Sequence, residues 1–240
     1  MNRIAAVFLS LTLVLGTRAA TQDAVSMDDE PHYSRILAND KCRVYEVNLR
    51  RLEETKPVVH EHDWVRMTLA GVVEQAWGGT LFSMRGYEDP EGYYVSFSYP
   101  IDRVTLRNPR NEPYREMIVE ILKPDNSRYQ MNDPSLDPFR NFLGPGVDPH
   151  VSFITSLTKT SVEILNVQLL SGDSKAIRSE GSGALLVAMT DLDISLAQKE
   201  GEPKKMRLDK GEVKWMSDGA AATFKNEGKE TTRFVILGMK

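Results

Sequence analysis

The sequence predicts an all-β chain built as two similar β-units in tandem, each a barrel or sandwich, and three observations carry that expectation. Apolar and polar residues alternate in short runs such as Arg43-Val44-Tyr45-Glu46-Val47-Asn48-Leu49, the two-residue period of a strand with one buried face. No long stretch has helical periodicity, and Gly71, Gly78, Gly79 and Gly86 punctuate the short segments at hairpin-like intervals. The second half echoes the first: Val47-Asn48-Leu49 returns as Val167-Gln168-Leu169, and Val65-Arg66-Met67-Thr68-Leu69 as Leu185-Leu186-Val187-Ala188-Met189, both 120 positions on. Val104-Thr105-Leu106-Arg107-Asn108 returns as Ala222-Thr223-Phe224-Lys225-Asn226, and Arg115 as Arg233, at an offset of 118. Shared offsets point to an internal duplication.

Before the first unit, Met1-Asn2-Arg3 gives a positive start, Ile4 to Gly16 an apolar run, and Thr17-Arg18-Ala19 a small-x-small cleavage pattern. Residues 1–20 therefore read as a signal peptide, and the run is short for a membrane anchor. Export to the periplasm or the extracellular space is the expectation. Removing Arg3 and Arg18 takes the basic residues from 30 to 28 against 34 acidic ones, and the formal charge from −4 to −6. An acidic chain without a basic stripe is a poor candidate for nucleic acid or an anionic membrane. The single cysteine, Cys42, sits in a β-rich run and reads as a half-buried strand residue. With 41% hydrophobic and 27% charged residues, the composition suits a soluble protein with a sizeable core.

Thr21 to Asp29 reads as a polar lead-in, and residues 32–123 as the first unit. Its strands are expected from Tyr33, over Arg43 to Leu49, from Val58, over Gly92 to Tyr99, over Arg103 to Leu106, and over Glu116 to Leu122. Residues 124–150, with Pro124, Pro134, Pro138, Pro145 and Pro149, read as a Pro/Gly-rich linker, and residues 151–240 as the second unit. Lys199 to Lys205 mixes both charge signs around Gly and Pro, which suggests a solvated hairpin turn.

The stretch Val58-Val59-His60-Glu61-His62-Asp63-Trp64-Val65-Arg66 holds half of the chain's four histidines. In a continuous strand His60 and His62 share a face, as do Trp64 and Arg66. Two imidazoles, an indole and a guanidinium on one wall would cradle a carboxylate or a sugar-like ligand, with Arg66 supplying paired N–H donors and Trp64 a flat apolar surface. Arg66 paired with Glu61, Asp63 or another neighbour, and Trp64 as packing, is the plainer alternative. His32 and His150 each begin a half and read as structural or exposed, and Trp215 as core.

The duplicated pattern, with His60-Glu61-His62 and the closing Asn108 and Asn226, resembles the cupins, and a bicupin in particular. Cupins carry the motifs G(x)5HxH(x)3-4E(x)6G and G(x)5PxG(x)2H(x)3N. Gly211, Ser217 at the proline position, Gly219, Ala222 at the histidine position and Asn226 follow the second motif. The resemblance implies two tandem jelly-roll barrels, and in metal-binding members an ion held by three histidines and a glutamate. Here the glutamate position falls on Arg66 or Met67 and the third histidine on Val104, while the second half offers Glu180, Ser182 and Ala222. His60 and His62 thus remain as candidate metal ligands with the third missing, where catalytic sites supply at least three; Glu46 or Glu120 could compensate. Quercetinase-, oxalate- or germin-like activity needs the complete site.

The sequence therefore leans towards an exported, non-catalytic or small-molecule-binding protein that uses His60, His62, Trp64 and Arg66 and needs no cofactor. The first barrel would hold the pocket and the second would be largely structural, in a monomer or homo-oligomer. The alternatives are a cupin-type oxygenase or isomerase using His60 and His62, with a divalent transition metal in the oxygenase case, and a purely structural role.

Overall fold

The computed structural model describes residues 23–77, 80–82, 94–122, 142–143, 150–179, 181–198, 202–217 and 220–240. The signal-peptide reading of residues 1–20, Gly78-Gly79, Glu180, and most of the 124–150 linker lie outside them.

The first half forms β1 (Tyr33–Ala38), β2 (Cys42–Leu49), β3 (Val58–His60), β4 (Asp63–Ala70), β5 (Glu74–Trp77), β6 (Thr80–Phe82), β7 (Tyr94–Ser98), β8 (Ile101–Arg107) and β9 (Tyr114–Ile121). After the short β10 (Phe142–Leu143), the second half forms β11 (Phe153–Thr158), β12 (Val162–Leu169), β13 (Ser174–Arg178), β14 (Ala184–Ala188) and β15 (Leu192–Ala197). It is completed by β16 (Lys204–Leu208), β17 (Val213–Met216), β18 (Ala221–Asn226) and β19 (Thr232–Met239). The described residues contain strands and a single 3₁₀ turn over Met27–Asp29. No helix among them is long and apolar enough to cross a membrane.

Each half pairs its strands into a large and a small sheet. The first half has the orders β1-β2-β9-β4-β7-β10 and β3-β8-β5-β6; the second has β11-β12-β19-β14-β17 and β13-β18-β15-β16. Adding ten to each label maps β1–β9 onto β11–β19, and the register agrees. Leu49 faces Tyr114 as Leu169 faces Thr232, and Val65 faces Val119 as Leu185 faces Leu237. The echoes in the sequence are therefore strand-for-strand equivalences.

Three cores follow from strand alternation. In the first half Tyr45, Val47 and Ile118 of the large sheet meet Val58, Val104 and Leu106 of the small one. In the second, Val167, Leu186 and Phe234 meet Ile177, Ile194 and Phe224. The opposite faces of the two large sheets pack on each other, joining Val44, Val65, Met67 and Val119 to Ile164, Leu185, Val187 and Val235. The buried Ser161 hydroxyl donates to Asp63 Oδ2 across this boundary at 2.8 Å. Cys42 belongs to the shared core and is fully buried there, its thiol pushed up to about 12 by desolvation.

The expectation of a continuous strand from Val58 through the histidines needs correction. The histidine stretch is two strands, since β3 ends at His60 in the small sheet and β4 begins at Asp63 in the large one. Glu61 and His62 form the corner between sheets, so strand parity does not carry from His60 to His62.

The two motif asparagines serve the backbone. Asn108 Nδ2 donates to Leu49 O and Glu112 O, and Asn226 Nδ2 to Leu169 O and Glu230 O. Their Oδ1 atoms accept from Arg110 N and Gly228 N, each at 2.9 Å. Asn108→Ala and Asn226→Ala are each expected to lower stability by about 1–3 kcal/mol, because buried backbone groups lose their partners. Urea unfolding of the two variants checks this, and a neutral result at either site would break the equivalence.

Candidate functional site

The site is built from the inward faces of β4 and β9 with the β3–β4 corner. Val65, Met67 and Leu69 point into the core shared by the halves, so Trp64 and Arg66 point into the first barrel, as do Tyr114, Glu116, Ile118 and Glu120 on β9. Trp64 is almost fully buried and its Nε1 donates to Tyr99 O at 3.0 Å. The His60 ring stacks on it, with centroids 4.1 Å apart and planes 14° apart.

Neither ring nitrogen of His60 has a hydrogen-bond partner. Burial, reinforced by the positive charge of Arg66, pulls the imidazole down to about 3, so it is uncharged at neutral pH. His62 is half-buried at the corner, and its buried Nδ1 also lacks a partner. Glu120 lies on the inward face near it. Burial pushes the Glu120 carboxyl up, while the charges of His62 and Arg43 oppose that shift, and Arg43 Nη1 donates to it at 3.2 Å. Glu46 is held by Arg115 on the opposite face of the sheet, away from the histidines.

Arg66 is held deeper inside. Its Nε and Nη2 donate to Glu116 Oε2 at 3.0 and 2.7 Å, Nη2 also reaches the Tyr114 hydroxyl at 3.1 Å, and Nη1 donates to Gln75 Oε1. The Tyr114 hydroxyl donates to the same Glu116 oxygen at 2.5 Å. Arg66 is 4% exposed and Glu116 fully buried, so a carboxylate from β9 already neutralises the guanidinium. Its partner is Glu116, rather than Glu61 or Asp63, the neighbours anticipated from the sequence. Burial and the Glu116 charge raise the hydroxyls of Tyr33 and Tyr114 well above the ordinary tyrosine range. The Arg66 guanidinium carbon lies 5.9 Å from the Trp64 ring centroid, linking this cluster to the histidine end.

The second half provides an internal control. Register places Leu186 at the position of Arg66, Phe234 at that of Glu116, Thr232 at that of Tyr114 and Leu196 at that of Gln75. There the space is filled by hydrocarbon, including Phe224 and Phe234 stacked 5.5 Å apart. Among the described residues, the buried side-chain polar atoms without a partner all belong to the first half: Tyr33 Oη, both His60 nitrogens, His62 Nδ1, Gln75 Nε2 and Glu116 Oε1. Such atoms mark where water or a ligand completes the hydrogen bonding.

Among the described residues no group of three or more His, Cys, Asp and Glu side chains is placed to hold an ion, and the His60 ring lies flat against Trp64.

The comparisons with known proteins bear on the fold. No protein-family model and no curated protein matches the chain. Among solved structures it is similar to AerE from Microcystis aeruginosa, at 13% identity and a TM-score of 0.55 over 88% of this chain and 98% of that one. YhaK from Escherichia coli matches at 13% identity and a TM-score of 0.60, over 88% and 92% of the two chains. The salicylate 1,2-dioxygenase from Pseudoaminobacter salicylatoxidans matches at 10% identity and 0.55, over 84% and 71%. The chain has the cupin fold. At these identities the likeness speaks for the cupin fold alone, and the chemistry has to come from this chain's own residues.

Of the four residues singled out in the sequence, the structure brings His60, Trp64 and Arg66 together inside the first barrel and leaves His62 at the corner beside Glu120. Sequence reasoning missed Tyr33, Gln75, Tyr114 and Glu116. A usable signal was present for one of them: Glu116 and Glu120 share one face of the run from Glu116 to Leu122, whose other residues are apolar.

Arg66→Met is expected to destabilise by about 3–5 kcal/mol, because it strands a buried Glu116 carboxylate. Combining it with Glu116→Leu should recover most of that loss, and chemical denaturation of the single and double variants measures both. For His60, the unfolded chain takes up a proton near pH 6.5 and the folded one only near pH 3. Stability should therefore fall as pH drops from about 6.5 to about 3, where the unfolded state binds more protons. In His60→Phe the fall across that window should be smaller than in the wild type, as read from unfolding curves at several pH values.

Proposed function

We propose that this cupin-fold chain is an exported small-molecule-binding module, with the ligand inside the first barrel and the second barrel as its structural partner. The observation that carries this reading is that, among the described residues, the unpartnered buried polar atoms all lie in the first half, while the equivalent space in the second is filled with hydrocarbon. The basic start and apolar run before the first unit support export.

The chemistry of the cluster favours a neutral, hydroxyl-rich ligand over a carboxylate. Arg66 would favour an anion, yet Glu116 has cancelled its charge. The groups left open are mixed: the Gln75 amide nitrogen donates, Glu116 Oε1 accepts, and the His60 ring and Tyr33 hydroxyl can each do both. Ligand hydroxyls also do both, and the stacked His60–Trp64 pair offers an apolar face for the C–H side of a sugar. An uncharged His60 suits this hydrogen-bonding role and is a poor proton acceptor at neutral pH.

Calorimetry with neutral monosaccharides and polyols, run beside simple monocarboxylates, tests the reading. At least one neutral probe should bind, and Gln75→Leu should weaken it by about 3–10-fold, the worth of one hydrogen bond. Binding confined to carboxylates would reverse the ligand class. Absence of binding across the whole series would leave a structural role for the first barrel.

A further inference from the structure

A separate groove opens at the Tyr114 end of the first barrel, away from the histidine corner. Its volume is about 590 Å³, within the range of small-molecule sites, and His32, Ser34, Asn48, Arg50, Glu53 and Tyr114 contribute to its walls. Pro31, Leu49 and Pro113 supply an apolar side. Of the interior cluster, Tyr114 alone is among its lining residues.

Two opposite charges flank this space without joining each other. Glu53 Oε2 accepts the backbone N–H of Arg50 at 2.6 Å, which ties the turn, and His32 lies 3.7 Å from the same oxygen. The Arg50 guanidinium has no ion-pair partner among the described residues. His32 is itself committed to Glu30, with Nδ1 2.6 Å from Oε1.

The duplicated turn in the second half isolates what is special here. Glu53 N donates to Arg50 O as Asp173 N donates to Leu170 O, and Leu52 N donates to Asn108 O as Gly172 N donates to Asn226 O. The scaffold is the same and the chemistry is gone. Leu170 replaces Arg50, and Asp173 Oδ2 is closed by the Ser152 hydroxyl at 2.6 Å. Gln168, at the Asn48 position, is engaged with Val151 O and Arg233.

The third residue of the turn differs as well. Leu52 has φ +59° and Gly172 φ +79°, a left-handed backbone that glycine adopts freely and leucine only at a cost. Leu52 is also 56% exposed, so burial does not repay that strain. The first half keeps a strained, exposed apolar side chain on the turn that carries Arg50 and Glu53, where its duplicate uses glycine.

We propose that this groove is a second ligand site, selective for small zwitterions of the α-amino acid type with an apolar side chain. Arg50 takes the carboxylate through paired N–H donors. Glu53 takes the ammonium, Asn48 adds a hydrogen bond, and Pro31, Leu49 and Pro113 cover the side chain. The site is independent of the sugar reading of the interior and uses different probes.

The test is calorimetry with L-leucine, 4-methylpentanoate, which lacks the amine, and 3-methylbutylamine, which lacks the carboxylate. Saturable L-leucine binding is expected, at least about 10-fold tighter than either single-charge probe, as for a charge-assisted hydrogen bond. Arg50→Gln should weaken L-leucine by a similar factor and leave it no better than the amine. Equal binding of the three probes, wild-type affinity in Arg50→Gln, or no L-leucine binding in the millimolar range would overturn the proposal. Binding lost in Gln75→Leu but kept in Arg50→Gln would move the ligand to the interior and also overturn it, while leaving the first-barrel reading standing.

Discussion

The architecture depends on large sheets that are buried on both faces. Asp63 to Met67, Glu116 to Ile121, Ala184 to Ala188 and Phe234 to Met239 are buried without interruption. One face of each strand serves its own barrel and the other the core between barrels. A polar side chain on such a strand cannot turn towards water, so it must find a partner in place. This is why Arg66, Glu116 and Tyr114 form a connected cluster with Gln75 of the facing small sheet, and why the atoms they leave unpartnered are informative.

Duplication turns the chain into its own reference. The two halves share strand order, register, the asparagine that ties the closing turn and even a left-handed residue at the same place. Against that common frame, the differences fall in the interior of the first barrel and at its Tyr114 end. Replacing the second barrel's Leu186 and Phe234 with an ion pair would be expensive unless the pair were hydrogen-bonded all round. The first barrel keeps such a pair together with polar atoms that remain open. That pattern is what the proposed ligand site rests on, since a core optimised for stability would close those atoms.

Polar character in the first half also has direction. Along β9 the inward residues run from Tyr114 through Glu116 and Ile118 to Glu120, so the histidine corner and the external groove sit at opposite ends of one wall. Arg66 lies between, stabilised by Glu116 on one side and close to the Trp64 ring on the other. The two proposed ligands would therefore share no charged group.

The sequence by itself determined the all-β class, the duplication and the inward placement of Trp64 and Arg66. These follow from two-residue periodicity and from offsets of 120 and 118 that need no knowledge of how strands pair. It also pointed to Asn108 and Asn226 as matched positions. What it could not carry was partnership across strands. Arg66 meets a carboxylate 50 positions away, and the choice of Glu116 over Glu61 or Asp63 was made by which strands lie side by side. The break between His60 and Asp63 was likewise a tertiary decision, because a chain changing sheets loses the alternation that had aligned the two histidines. Local pattern reports which face a residue takes, and only the packed sheets decide what waits there.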